Sequence, residues 1–250
     1  MSGHNRWTKI KRQKEAMGAT KGKLFSKVIK EITIAARDGG GDPAANSRLR
    51  AAIAAAKEVN LPKENIERAI KRGTGELEGQ VYEEITYEGY GPGGVAFLVE
   101  CVTDNRNRTA GEIRHLFTKG HGNLGETGSV NWLFERKAVM GIPKAHCNEE
   151  QAMELALEVG AEDVVDQGEV WELRADAADF HGVFTALEEK GIEAKEPHLA
   201  WVPKNTVRVE GEDAKKVLKL VELLEGSDDV QNVFANYEID DAEIEAAASA

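Results

Sequence analysis

The chain is 250 residues long, 41% hydrophobic, with a formal net charge of −12, and that length suffices for two or three domains with cores of their own. No run approaches the roughly eighteen apolar residues of a membrane span, the N-terminus lacks a secretory apolar stretch, and Cys101 and Cys147 are too few for a zinc ribbon or disulfide framework, so a cytoplasmic protein without a membrane partner is expected. The charge is segregated: residues 1–75 hold 17 Lys and Arg against 7 Asp and Glu, net +10, and the rest hold 15 against 37, net −22, which suits a basic arm facing a polyanion on a body that the polyanion repels.

The run at 6–14 sets Trp7 among Arg6, Lys9, Lys11, Arg12 and Lys14. That is the composition of a single-strand stacking platform, although a tryptophan anchoring the arm on its own domain is the plainer reading. Thr20 can cap a helix running to about Asp38 and stopped by Gly39, Gly40 and Gly41. At about 100° per residue, Leu24, Phe25, Val28, Ile29, Ile32, Ala35 and Ala36 form an apolar stripe, with Lys23, Lys27, Lys30 and Arg37 opposite and Ile34 as the misfit. Asp42 and Pro43 read as N-cap and first residue of a second helix with a seam of Leu49, Ala52, Ile53 and Ala56. A third helix starts near Pro62, buries Ile66, Ala69 and Ile70, and closes with Lys71 and Arg72 before Gly73.

Residues 1–78 are therefore expected to form a basic helical nucleic-acid-binding domain. Its candidate contacts are the arm residues above, Lys21, Lys23, Lys27, Lys30, Arg37, Arg48, Arg50, Lys71 and Arg72. The helical face is mostly lysine, which grips phosphate and reads base edges poorly, so weak sequence specificity is expected.

Beyond the polar link the period becomes alternating. Ile85 and Tyr87 between Glu84, Thr86 and Glu88 predict a half-buried strand, and the turn at 89–94 leads into the near-continuous apolar run of a central strand. A helix at about 107–119 and a strand at about 130–134 follow. Residues 135–203 read strand, helix, two strands, helix, strand, a complete βαββαβ set with helices carried by Ala152, Leu155, Ala156, Val159 and by Phe180, Val183, Phe184, Leu187. The later strand, helix and strand of 204–238 need another partner and are assigned to the sheet of 79–134. Residues 239–250, acidic and alanine-rich, predict a disordered tail. The expected fold is multidomain α+β: a three-helix N-terminal domain, then two α+β (ferredoxin-like) domains, the second inserted in the first.

Two matches to G-x-G-x-x-G, at Gly89, Gly91, Gly94 and at Gly120, Gly122, Gly125, lack the strand-before and helix-after context of a dinucleotide site. The first reads as a turn and the second, spanning 120–128, as a linking loop. The six histidines show no metal spacing, and neither a nucleophile elbow nor a P-loop is present. No metal, cofactor or enzymatic activity is expected. Arg106 and Arg108 stand where a helix N-terminus disfavours cations. Either Asp104 and Glu112 neutralise them or they form a second anion or partner site.

Several long motifs carry a family resemblance: Met-Ser-Gly-His-Asn-Arg-Trp at 1–7, Gly-Lys-Leu-Phe-Ser-Lys at 22–27, Gly-Gly-Asp-Pro at 40–43, Leu-Pro-Lys-Glu-Asn-Ile-Glu-Arg-Ala-Ile at 61–70, Tyr-Glu-Gly-Tyr-Gly-Pro-Gly-Gly at 87–94 and Thr-Asp-Asn-Arg-Asn-Arg-Thr at 103–109. Over nearly its whole length the chain resembles the YebC family, which includes mitochondrial translational activators of cytochrome oxidase subunit one. It departs from the pattern at Ser47, where proline is expected, and in the Lys-Gly-His-Gly-Asn of the glycine loop. The resemblance implies a DNA-binding transcriptional regulator with DNA or RNA as partner. The alternative it implies is a ribosome-associated translation factor binding ribosomal or transfer RNA.

Overall fold

The computed structural model describes residues 21–240 and 242–244. The arm carrying Arg6, Trp7, Lys9, Lys11, Arg12 and Lys14 lies outside the described residues, as does the Lys21 side chain. The chain falls into two compact units, one holding 31–78 and 136–201, the other holding 79–135 and 202–250 with the residues before 31. The architecture is multidomain α+β, with an N-terminal helical region followed by antiparallel sheets.

Helix α1 spans Lys21–Gly39. Its burial departs from the expected stripe, because Ile32, Thr33, Ile34, Ala35 and Ala36 are all buried and Leu24 is exposed. Ile34 is therefore core and no misfit: the last turns of α1 are covered on more than one side. Part of that cover is the end of α3 (Lys63–Gly73), where a Cβ on Gly73 would sit 2.3 Å from the Thr33 carbonyl oxygen. Only glycine permits so close an approach of backbones.

Helix α2 spans Ser47–Glu58 and starts later than the Asp42-Pro43 pair suggests. Asp42 instead holds a turn through its carboxylate and the Ala44 amide. The N-cap is Asn46, whose Oδ1 accepts from the Leu49 amide while its Nδ2 donates to the carbonyls of Ala35 and Gly40. One buried amide thus caps α2 and closes the end of α1. Ser47 occupies the first helical position, the one place in a helix that proline fits.

In the unit containing 79–135 and 202–250, β1 (Glu83–Tyr90) and β2 (Ala96–Thr103) form an antiparallel hairpin from Glu83 opposite Thr103 to Tyr90 opposite Ala96. The sheet order is β3-β1-β2-β9, with β3 at Asn123–Leu124 and β9 at Val230–Ala235. Helices α4 (Arg106–Lys119) and α7 (Gly211–Glu225) pack on each other and on this sheet. Alternate residues Phe97, Val99 and Cys101 of β2 meet Ile113 and Phe117 of α4 and Val217, Leu220, Val221 and Leu224 of α7 in one core. Phe97 and Phe117 meet edge to face at 6.0 Å, the arrangement that ring quadrupoles favour.

Three expectations change here. The strand expected at about 130–134 is a short 3-10 turn, Asn131–Leu133, leading into β4 at Phe134–Pro143; the sheet's edge is closed instead by β3 from inside the glycine loop. That loop is packed, since Cβ atoms on Gly120 and Gly122 would lie 2.6 Å from Leu220 Cδ1 and 2.7 Å from the Tyr90 carbonyl oxygen. Strand β8 (Val207–Arg208) pairs in parallel with β10 (Tyr237–Glu238), outside the four-stranded sheet. The expected tail begins as packed chain: Ile239 and Ile244 are buried in the same core, and Glu243 accepts from the Gly211 amide. Two isoleucines among acids give periodicity too little to register.

The βαββαβ set consists of β4, α5 (Glu149–Val159), β5 (Asp163–Asp166), β6 (Val170–Asp176), α6 (Phe180–Glu189) and β7 (Lys195–Pro203). Its order, β5-β6-β4-β7, is ferredoxin-like. The capping box of Asn148 and Gln151 starts α5 and the left-handed Gly160 ends it, so local sequence alone sets both ends.

Candidate nucleic-acid interface

Lys23, Lys27 and Lys30 stand at i, i+4 and i+7 of α1 and so share a face. Their expected place is solvent, but each is committed internally. Lys23 Nζ donates to the Gly226 carbonyl at 2.8 Å and lies 3.8 Å from Asp228; Lys27 Nζ donates to the Glu225 carbonyl at 3.0 Å. These carbonyls close α7, where helix geometry leaves acceptors without intrahelical donors at the negative end of the dipole. Lys30 goes deeper, donating to the carbonyls of Val102 and Asp228 at 3.0 and 2.8 Å and to Asp229 Oδ1 at 3.0 Å.

Asp229 is buried at the centre of a network. Its other carboxylate oxygen accepts from Arg108 Nη2 at 2.8 Å, Thr109 Oγ1 at 2.8 Å and Thr103 Oγ1 at 3.3 Å. Burial pushes the carboxyl pKa up, but the hydrogen bonds from Arg108, Thr109 and Lys30 outweigh burial and leave it below the ordinary carboxylate value. The same bond raises the Arg108 pKa. Lys30 and Arg108 thus neutralise a buried carboxylate, which joins α1, the end of β2, the start of α4 and the turn before β9.

The remaining cations divide into committed and uncommitted. Arg37 pairs with Asp38 at 2.8 Å. Arg48 forks onto both carboxylate oxygens of Glu31 at 2.8 and 3.3 Å and reaches Asp38 at 3.5 Å. Arg50 donates to the Pro43 carbonyl at 2.8 Å, pairs with Glu188 at 3.3 Å and lies 5.1 Å from the Phe184 ring centroid, fastening α2 to α6. Lys71 and Arg72, by contrast, are exposed and make no ion pair among the described residues. Arg68, one turn earlier on α3 and absent from the sequence-derived set, shares their condition. At i, i+3 and i+4 the three occupy one face; the polarity of α3 is visible in sequence, but not that Arg68 is left without an acid.

Of the arginines at the start of α4, Arg108 is neutralised by Asp104 at 3.0 Å and by Asp229, not by Glu112. Arg106 is exposed and its side chain makes no ion pair among the described residues. Glu88, expected to point outward from β1, is buried and accepts from the amides of Gly128, Val130 and Asn131 at 2.7, 2.8 and 2.9 Å. The alternation of β1 could not reveal that the glycine loop folds over its edge.

Burial pushes the Cys101 thiol up to about 12, followed by the charges of Asp229 and Glu112, which keeps it protonated and unreactive near neutrality. Among the described residues no group of three or more His, Cys, Asp or Glu is arranged to hold a metal ion, and no helix is long and apolar enough to cross a membrane.

Comparison with known proteins bears on this geometry. Residues 5–76 match the family description "TACO1/YebC protein N-terminal domain", and residues 82–237 match "TACO1/YebC second and third domain". A "Probable transcriptional regulatory protein" of Myxococcus xanthus is 59% identical over 243 residues, covering 97% of each chain. One of the same description from Persephonella marina is 54% identical over 241 residues, covering 96% of each. The crystal structure of a conserved hypothetical protein from Aquifex aeolicus superposes with a TM-score of 0.83 at 51% identity, covering 89% of this chain and 92% of that one.

Proposed function

The chain belongs to the TACO1/YebC family, and on that premise we propose that it is a non-enzymatic, cytoplasmic, DNA-binding regulator of transcription. Relatives across nearly the whole chain carry the description of transcriptional regulatory proteins. The observation that supports polynucleotide binding is the face of Arg68, Lys71 and Arg72 on α3, three cations without an acidic partner among the described residues, in a segment of net charge +10. Free cations release condensed counterions from phosphate, whereas cations already paired must first give up their own acceptors. The basic helical segment 1–78 acts as the binding domain, with α3 and the arm residues Arg6, Lys9, Lys11, Arg12 and Lys14 as its phosphate contacts. Lys23, Lys27 and Lys30 serve the fold, and Arg106 is a lone second cationic point.

A second reading, a translation factor on ribosomal or transfer RNA, is favoured by one fact: residues 76–250 carry −22. Naked duplex repels such a body, while a basic protein surface attracts it. Crosslinking in cells followed by sequencing of both DNA and RNA separates the two. Enrichment at promoters without ribosome co-sedimentation is expected; crosslinks confined to ribosomal or transfer RNA would replace transcription by translation.

A further inference from the structure

The side chain of Trp132 is presented to solvent by a turn that several hydrogen bonds brace. The residue is 63% exposed, although tryptophan is a costly side chain to leave in water. The buried carboxylate of Glu88 fixes the amides of Gly128, Val130 and Asn131 on either side of Ser129. The Leu133 amide closes the turn onto the Val130 carbonyl at 2.9 Å, and the Leu133 carbonyl accepts from the Lys204 amide at 2.9 Å. The indole Nε1 donates to the Ser129 carbonyl at 3.1 Å, and the Tyr90 hydroxyl donates to that same oxygen at 3.1 Å. With its one polar atom committed to Ser129, the indole offers its π face and no hydrogen bond.

We propose that Trp132 is a stacking platform for one unpaired nucleobase. The proposal rests on the polynucleotide reading above and adds to it a requirement for single-stranded or looped substrate, since a duplex hides its base faces. Two features favour a base over a protein side-chain pocket. Tyr90, itself part-exposed and hydrogen-bonded to the same Ser129 carbonyl, adds a second aromatic beside the indole, while Gly128, Ser129 and Asn131 of the turn are small or polar and offer little of the apolar area that forms a protein interface core. Beside it, Lys204 and Asn131 are exposed, and Lys204 makes no ion pair among the described residues. With Lys204 joined through its backbone to the residue after Trp132 and Asn131 preceding it, the turn supplies an aromatic, a cation and an amide, side-chain types that suit base, phosphate and base edge in that order.

The test uses the full chain with Trp132→Ala and Trp132→Phe variants and three labelled probes: a single-stranded RNA of about twelve nucleotides, the DNA strand of the same sequence, and the corresponding duplex DNA. Loss of one stack should weaken W132A on the single strands by about five- to a hundred-fold. W132F should retain most of the affinity, and duplex binding should change by less than about twofold. Stacking should also quench indole emission in the wild type more than in W132A. Equal single-strand affinity for wild type and W132A would overturn the platform while leaving the polynucleotide reading intact. Equal losses on single strand and duplex would reassign Trp132 to a structural role. A wild-type chain that binds none of the probes would overturn both readings together.

Discussion

Two helices of the basic segment carry cations in rows, and they use them oppositely. On α1, Lys23, Lys27 and Lys30 end on the carbonyls that finish α7 and on a buried aspartate. On α3, Arg68, Lys71 and Arg72 meet no acid among the described residues. A count of charge treats the rows alike, and helical projection does too. What separates them is the company each row keeps: one lies along a helix C-terminus whose acceptors lack donors, the other along solvent. Positive charge therefore marks a polyanion site only after the charges already satisfied within the fold are set aside.

The largest expected effect is at Lys30. Lys30→Glu sets a second carboxylate against buried Asp229 and abandons two carbonyls, and should cost about 3 kcal/mol or more, read as a lowered urea midpoint of the full chain. If K30E is as stable as the wild type, the lysine row is not structural. The next effect is at Glu88. Glu88→Ala leaves three loop amides without their acceptor and should cost about 1–3 kcal/mol, with Trp132 emission shifting as its support loosens.

A smaller effect depends on pH. Asp229 has a folded pKa below its unfolded value, so its contribution is fully present above the unfolded carboxylate range, about pH 4, and is lost as pH falls through the lower folded value. Wild-type stability should therefore fall off below about pH 4, and Asp229→Asn should flatten that acid limb while lowering the plateau. An acid limb identical in D229N would assign it to other carboxylates. The smallest effect is at Lys23, whose side chain is 53% exposed; Lys23→Ala should change stability by less than about 1 kcal/mol.

How much of this is legible in sequence depends on whether the determinant is local. The βαββαβ set is readable because its helices carry full i, i+3, i+4, i+7 patterns and glycine stops at Gly160 and Gly191. The start of α2 is not, because Asn46 is chosen over Asp42 by its hydrogen bond to the end of α1 eleven residues earlier. Glu88 and Ile34 escape sequence reasoning for one reason: alternation and projection assign a face, while a distant loop or helix decides whether that face is covered. At the candidate site, Lys71 and Arg72 follow from helix polarity and net charge. The distinction between them and Lys30 does not, since Asp229 lies 199 residues from its lysine in sequence.

The proposed polyanion binding uses the uncommitted cations of α3 and not the committed row of α1. It is tested most directly by the salt dependence of binding of a labelled polynucleotide to the full chain, compared among wild type, R68E/K71E/R72E and K23A. Triple reversal should weaken binding more than about tenfold and reduce the slope of log affinity against log salt by about 2–3, close to 0.9 for each phosphate no longer neutralised, with K23A matching the wild type. A triple variant with wild-type affinity and slope, or a K23A variant that loses both, would contradict it.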